Sequence, residues 1–219
     1  MEVASPMSHP DEPTTSDPRR NLLEIDRLNF LTDGVFAIAL TLLVLDLKLP
    51  DDPSRALGRS LVEMIPRLAI YLFAFSTIAN QWVIHHRTFR LVHYADGNLV
   101  LLSLLTLLFI TLIPASAAIV GGHPTDRLAA ACYAINSLLL SLSAAALWGY
   151  VAMNGHLLAE GADPRILRGI ALVWLLVGLG FIVSLAVGIA NVFLEYAVWV
   201  SWSQVVTYWW HRRRLKFAS

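Results

Sequence analysis

The sequence predicts an all-α membrane protein with six transmembrane helices per subunit. Three observations predict it. Hydrophobic residues make up 57% of the 219, and charged residues only 15%. An average soluble chain carries roughly 45–50% apolar and about 25% charged residues, so this chain has too little polar surface to cover a soluble core. The third observation is six separate apolar runs, each near the ~20 residues that cross a bilayer core as a helix. Closed barrels are the other way to satisfy backbone groups in lipid, but they need short alternating segments. These runs are continuous and rich in Leu and Ala.

The elements follow in chain order. Residues 1–20, MEVASPMSHPDEPTTSDPRR, are rich in Pro, Ser, Thr and acids. They contain no apolar h-region and read as a disordered cytoplasmic tail. The transmembrane domain is assigned to 21–211, and 212–219 to a basic cytoplasmic C-terminus. The first run, 28–49, contains Asp33. The second starts near Leu61 behind Glu63, Pro66 and Arg67 and is uncharged from Leu68 to Ile84. The third, 98–122, has no charge at all. The fourth spans 128–153, the fifth 169–190 and the sixth 192–210. The fifth and sixth are joined so tightly, around 188–191, that they must form an antiparallel hairpin.

Orientation follows from Lys and Arg in the connections. With the N-terminus inside, the inner segments hold eleven of the sixteen Lys and Arg residues and the outer ones five. Both termini are therefore expected in the cytoplasm. The zero net charge argues against a basic nucleic-acid binder. Cys132 is the only cysteine, which excludes an intrachain disulfide and a cysteine-based zinc site.

Ionisable residues inside a span are costly and single out the first two helices. With Ile38 at zero on a wheel of about 100° per residue, Arg27, Leu31, Gly34, Thr41, Leu42 and Leu45 fall within about 60° of it. Asp33 lies about 140° away, toward the protein. The second helix carries Ser76, Thr77, Asn80, Gln81 and Trp82, then His85 and His86 at the level of Arg27 and Asp33. A buried network of Arg27, Thr32, Asp33, Trp82 and one of His85 and His86 is expected, with a helix-pinning role, since buried polar groups are usually just satisfied. No metal site is expected, because adjacent histidines on a helix diverge by about 100°. No phosphate-binding loop, G-x-S-x-G elbow or H-E-x-x-H occurs, so no enzyme is read here and no cofactor.

The first helix resembles the signature of the transmembrane-protein-175 family, the lysosomal potassium channel and its bacterial relatives. That signature is an Arg followed by Phe-Ser-Asp and a helix beginning Gly-Val-Phe-Ala-Ile. Here the stretch is Arg27, then Leu31-Thr32-Asp33-Gly34-Val35-Phe36-Ala37-Ile38. Leu31 stands for Phe and Thr32 for Ser, which keeps the hydroxyl and loses the ring. Trp82, His85, His86 and Phe89 fit the family's second-helix pattern, and Asn98, Leu99 and Pro114 look similar in the third. The resemblance covers about 27–120. Beyond that the helices match in number and hydrophobicity.

The resemblance implies a homo-oligomer, a tetramer, in a bacterial plasma membrane, whose first helices line a central pore. Its constriction would be rings of Ile38, Leu42 and Leu45, with Thr41 as a polar layer beside them. The wheel reaches the same face independently. A hydrophobic constriction gates by dewetting and makes a permeating ion shed water. Potassium holds its shell less tightly than sodium, so a modest preference for K+ is expected. The competing reading is a proton- or cation-coupled carrier using Asp33 and the His85/His86 region.

Overall fold

We describe residues 18–47 and 57–202 of a computed structural model, with side chains from Ile25 onward. Helix α1 spans Pro18–Leu42 and continues as a 3-10 turn, Leu43–Asp46. Then come α2 (Leu57–Phe89), α3 (Gly97–Gly122), α4 (Arg127–Met153) and α5 (Pro164–Gly188). A shorter apolar helix, α6, covers Val192–Trp202. Among the described residues, five helices are long and apolar enough to span a membrane. The C-terminal half of the sixth apolar run, like most of the N-terminal tail and the basic C-terminus, lies outside the described residues. Helix α1 begins at Pro18, inside the stretch assigned to the tail. Proline's fixed φ suits a first helical turn, where its missing N–H costs nothing.

Short polar residues start the later helices. Asp96 accepts from Leu99 N–H at 2.8 Å, Asp126 from Leu128 N–H at 2.8 Å, and Asp163 from Arg165 N–H at 2.8 Å. Asn191 does the same for Phe193 at 2.8 Å. Each satisfies one N–H that the helix itself cannot. Helix α2, at 33 residues, is longer than a bilayer core of ~30 Å requires. Its first turns carry the Arg59–Glu63 pair, 3.4 Å apart, which belongs outside the hydrocarbon.

The helices run alternately up and down. Helix α4 packs against both α3 and α5, and α1 rests on α2 and α3. At the end where α1 starts, one cluster gathers Leu28, Ile84, Phe89, Leu99, Trp148 and Leu167. At the other end a second gathers Phe36, Leu43, Ile78, Ile110, Tyr133 and Trp199. The α2–α3 and α4–α5 connections are stitched together: His93 N–H donates to Leu157 O at 2.8 Å and Ala159 N–H to Leu91 O at 2.9 Å. Tyr150 adds a side-chain clasp, donating to Asp96 at 2.5 Å and accepting from Asn98 at 3.2 Å.

The α5–α6 connection is the antiparallel hairpin that its shortness demands. Trp199 Nε1 donates to Ser184 Oγ at 2.6 Å, and Trp202 Nε1 to Leu176 O at 2.9 Å. Ser184 in turn donates to the buried Glu195 at 3.4 Å. Gly188 leaves room for the Glu195 carboxylate, which a Cβ at that position would displace. Arg127 closes the turn by donating to the Ile189 and Ala190 carbonyls at 2.8 and 3.3 Å.

Candidate functional site

Helix α1 has two faces. Leu28, Thr32, Phe36, Ala39 and Leu43 recur at three- and four-residue intervals and are all buried against α2 and α3. On the other face Leu31, Gly34, Ile38, Thr41, Leu42 and Leu45 are exposed in the single subunit. Ile38 is 60% exposed, Leu42 42% and Leu45 60%, against 1% for Phe36 and 2% for Leu43. The 3-10 turn changes the spacing assumed from sequence. It advances about 120° per residue, so Leu45 stands above Leu42, about 40° from Ile38, still on the same face.

Thr41 and Thr32 spend their protons on their own helix. Thr41 Oγ1 donates to Ile38 O at 2.8 Å, and Thr32 Oγ1 to Leu28 O at 2.8 Å. On the exposed face, Thr41 therefore presents lone pairs rather than a donor.

The polar residues behind that face divide into pairs. Trp82 Nε1 donates to Asp33 Oδ1 at 2.8 Å, which bonds α2 to α1. His86 stacks on Trp82 with centroids 5.4 Å apart and accepts from Arg90 at 3.2 Å. His85 is 2% exposed and sits among the rings of Phe36, Phe89 and Trp148, at 5.9, 4.5 and 5.5 Å. Neither of its ring nitrogens has a hydrogen-bond partner, nor does the buried amide of Gln81 one turn before it.

Within the subunit, the part of the expected Arg27, Thr32, Asp33, Trp82 and histidine network that forms is the Trp82–Asp33 bond, and neither Arg27 nor a histidine joins Asp33. Arg27 is exposed, and no ion pair joins it to Asp33 among the described residues. The reason is elementary: six residues apart on an α-helix puts the two side chains about 120° apart. Arg27 shares the Ile38 face, and Asp33 turns to α2. Among the described residues no three metal-ligating side chains come together.

Sequence reasoning missed two polar contacts. Asn136 of α4 donates to the Phe109 carbonyl of α3 at 3.3 Å, one turn before Pro114. The Asp96–Tyr150 clasp was half legible, since an Asp just before an apolar run is a capping signal. Its partner, 54 residues away, was not.

Comparison with known proteins bears directly on this α1–α2 region. The family model for the endosomal/lysosomal potassium channel TMEM175 matches residues 27–114, which includes every residue named above on the two faces of α1. A potassium channel of Streptomyces collinus is 34% identical over 174 residues, covering 77% of this chain and 84% of that one. This chain belongs to the TMEM175 family of potassium channels. A second family member, a potassium channel of Chamaesiphon minutus, is 36% identical over 64% of this chain and 72% of its own. The fold likeness reaches further than the family model. The crystal structure of a lysosomal potassium-selective channel TMEM175 homolog from the same organism has a TM-score of 0.72 at 28% identity. It covers 84% of this chain and 98% of that one. Membership places the chain among multi-pass ion channels and not among enzymes.

Proposed function

We propose that this chain conducts potassium through a pore lined by the exposed face of α1 in a symmetric tetramer of identical six-helix subunits. In this reading Ile38, Leu42 and Leu45 form successive apolar rings, and Thr41 offers hydroxyl lone pairs between them. The observation that carries it is the inversion on α1, where Ile38 and Leu45 are each 60% exposed while Phe36 and Leu43 are packed away. An apolar ring dries the pore and makes an ion shed water to pass, which costs potassium less than sodium. The Thr41 lone pairs replace part of the lost shell.

Both termini face the cytoplasm of a bacterial plasma membrane, as the excess of arginines on that side requires. The remaining exposed surface, with its large apolar side chains, faces lipid and neighbouring subunits. The Trp82–Asp33 bond holds α1 in rotation, so that the Ile38 face and not the Phe36 face meets the axis.

The test is the reversal potential of Ile38→Asn under mixed potassium and sodium. Asn is of similar size and gives water and hydrated sodium a partner at the constriction. Conductance rises and potassium preference falls. Unchanged conductance and selectivity would overturn the pore assignment.

A further inference from the structure

The turn Leu43–Asp46 stands out from the other helix ends. A 3-10 turn at a helix terminus is common. What distinguishes this one is where it lies and what it lies against. Nothing in its sequence forces the tighter winding: Leu40 to Leu47 contains no Gly and no Pro. One residue anchors it, with Leu43 2% exposed while Val44 and Leu45 are 50% and 60% exposed. Behind it is a crevice of about 30 Å³ lined by Leu43, Asp46, Arg67, Tyr71, Ala118 and Gly121. Asp46 and Arg67 both line this crevice and both stay exposed, with no ion pair between them among the described residues, and the Arg67 guanidinium donates to the Gly121 carbonyl at 3.2 Å.

Winding decides where these side chains point. Three 3-10 steps make one full turn, so Leu45 stands directly over Leu42. Three α steps make about 300°, which would carry Leu45 about 60° around the helix and draw it in by about 1.5 Å. Over four steps Asp46 would swing about 80°, out of the crevice and toward the flank of the Ile38 face. Residues Ile38 to Leu42 would not move.

We infer that the Leu43–Asp46 turn is a movable gate at the α1 C-terminal mouth, rewinding between 3-10 and α geometry around the anchored Leu43. In the 3-10 form Leu45 stacks on Leu42 and Asp46 lies on the crevice side of the helix, away from the Ile38 face. In the α form Leu45 is displaced from that stack and each subunit turns a carboxylate toward the mouth. A ring of carboxylates there concentrates cations before they meet the constriction. This inference rests on the pore reading above, and its test separates the two.

The experiment records single-channel potassium currents of the full-length protein in planar bilayers. Ala118→Phe fills the crevice that Asp46 borders and crowds its 3-10 position, so the α form is favoured. Asp46→Asn is expected to lower conductance at low ionic strength about twofold in the otherwise native chain and about fourfold with Ala118→Phe, and in neither at high salt. An Asp46→Asn effect that is absent, or the same size in both backgrounds, overturns the rewinding. If Ala118→Phe does not assemble, Arg67→Gln replaces it. Glutamine keeps a donor for the Gly121 carbonyl and removes the positive charge that shares the crevice with Asp46, so the same strengthening is expected. The pore reading is checked separately with Leu45→Cys in a Cys132→Ser background, because Cys132 is a free thiol. A cationic thiol reagent blocks the current if Leu45 lines the pore. Block without coupling between positions 46 and 118 rejects the gate alone. No block rejects the pore assignment of Leu45 and the gate with it.

Discussion

Helices α2 and α4 are both apolar enough to cross a bilayer, yet only 11% of the α2 window is buried within the subunit against 61% for α4. The difference lies first in position, because α4 packs between α3 and α5, and then in the small side chains that allow the close approach. Helix α4 turns Ala130, Ala134, Ser137, Ser141 and Ala144 inward, all almost fully buried. Small side chains let neighbouring backbones approach, which is how helices gain packing energy where lipid removes the hydrophobic incentive. Helix α2 turns Leu61, Val62, Ile65, Leu68 and Leu72 outward. Helix α1 follows α2, with its large residues Ile38, Leu42 and Leu45 on the outside. The α3–α5 region is thus the scaffold, and the α1–α2 pair is the surface that the scaffold presents.

That contrast breaks first at α1, where the two faces differ most. Leu43→Asn places an amide in the buried face and is expected to cost about 3–5 kcal/mol, the cavity and unpaired-polar penalties together. Ile38→Asn, on the exposed face, is expected to leave subunit stability within about 0.5 kcal/mol while changing ion selectivity. Thermal unfolding in detergent alongside reversal potentials reads both. Equal destabilisation by the two changes would erase the two-faced description of α1.

The scaffold is tested by the opposite kind of change. Ala134→Leu overpacks the α4 interior and should cost about 1–3 kcal/mol. Leu72→Ala on α2 should change the subunit's stability by less than about 0.5 kcal/mol. A large loss of oligomer on Leu72→Ala, followed by chromatography, would sharpen the comparison by marking α2 as a contact between subunits.

A smaller effect is expected at the seam between the two regions. Asp33→Ala leaves the Trp82 indole N–H without its acceptor and should cost about 1–3 kcal/mol. Trp82→Phe removes the donor as well and should cost less in the Asp33→Ala background than alone. A double-mutant cycle on unfolding temperature measures that coupling, and additive losses would show that the bond contributes nothing. Because Arg27 is exposed and not joined to Asp33, Asp33→Ala strands no buried cation.

The smallest effect belongs to the tail. Deleting residues 1–17, which stops short of the helix starting at Pro18, is expected to leave flux and oligomeric state unchanged. Loss of assembly on size-exclusion chromatography would make the tail a docking element.

Much of this was legible in the chain itself. Five of the six apolar runs appear as helices long enough to span, because run length and hydropathy fix a membrane helix with no tertiary information. The exposed face of α1 was legible for a related reason: a 3.6-residue period sorts Ile38, Leu42 and Leu45 from Phe36 and Leu43 before any partner is known. The Arg27-to-Leu43 stretch also carried the family resemblance. What the sequence could not decide is who pairs with whom. It grouped Arg27, Thr32, Asp33, Trp82 and the histidines by depth, but depth on a helix is shared by side chains pointing in every direction. Only packing α2 against α1 selected Trp82 as the partner of Asp33 and buried His85 among aromatic rings. The 3-10 winding after Leu42 was not legible either, since Leu43 to Asp46 contain no Gly or Pro and accept either helix locally. Periodicity is a property of one helix and is written in its residues. Rotation and pairing are properties of two helices in contact, and no single run of sequence contains them.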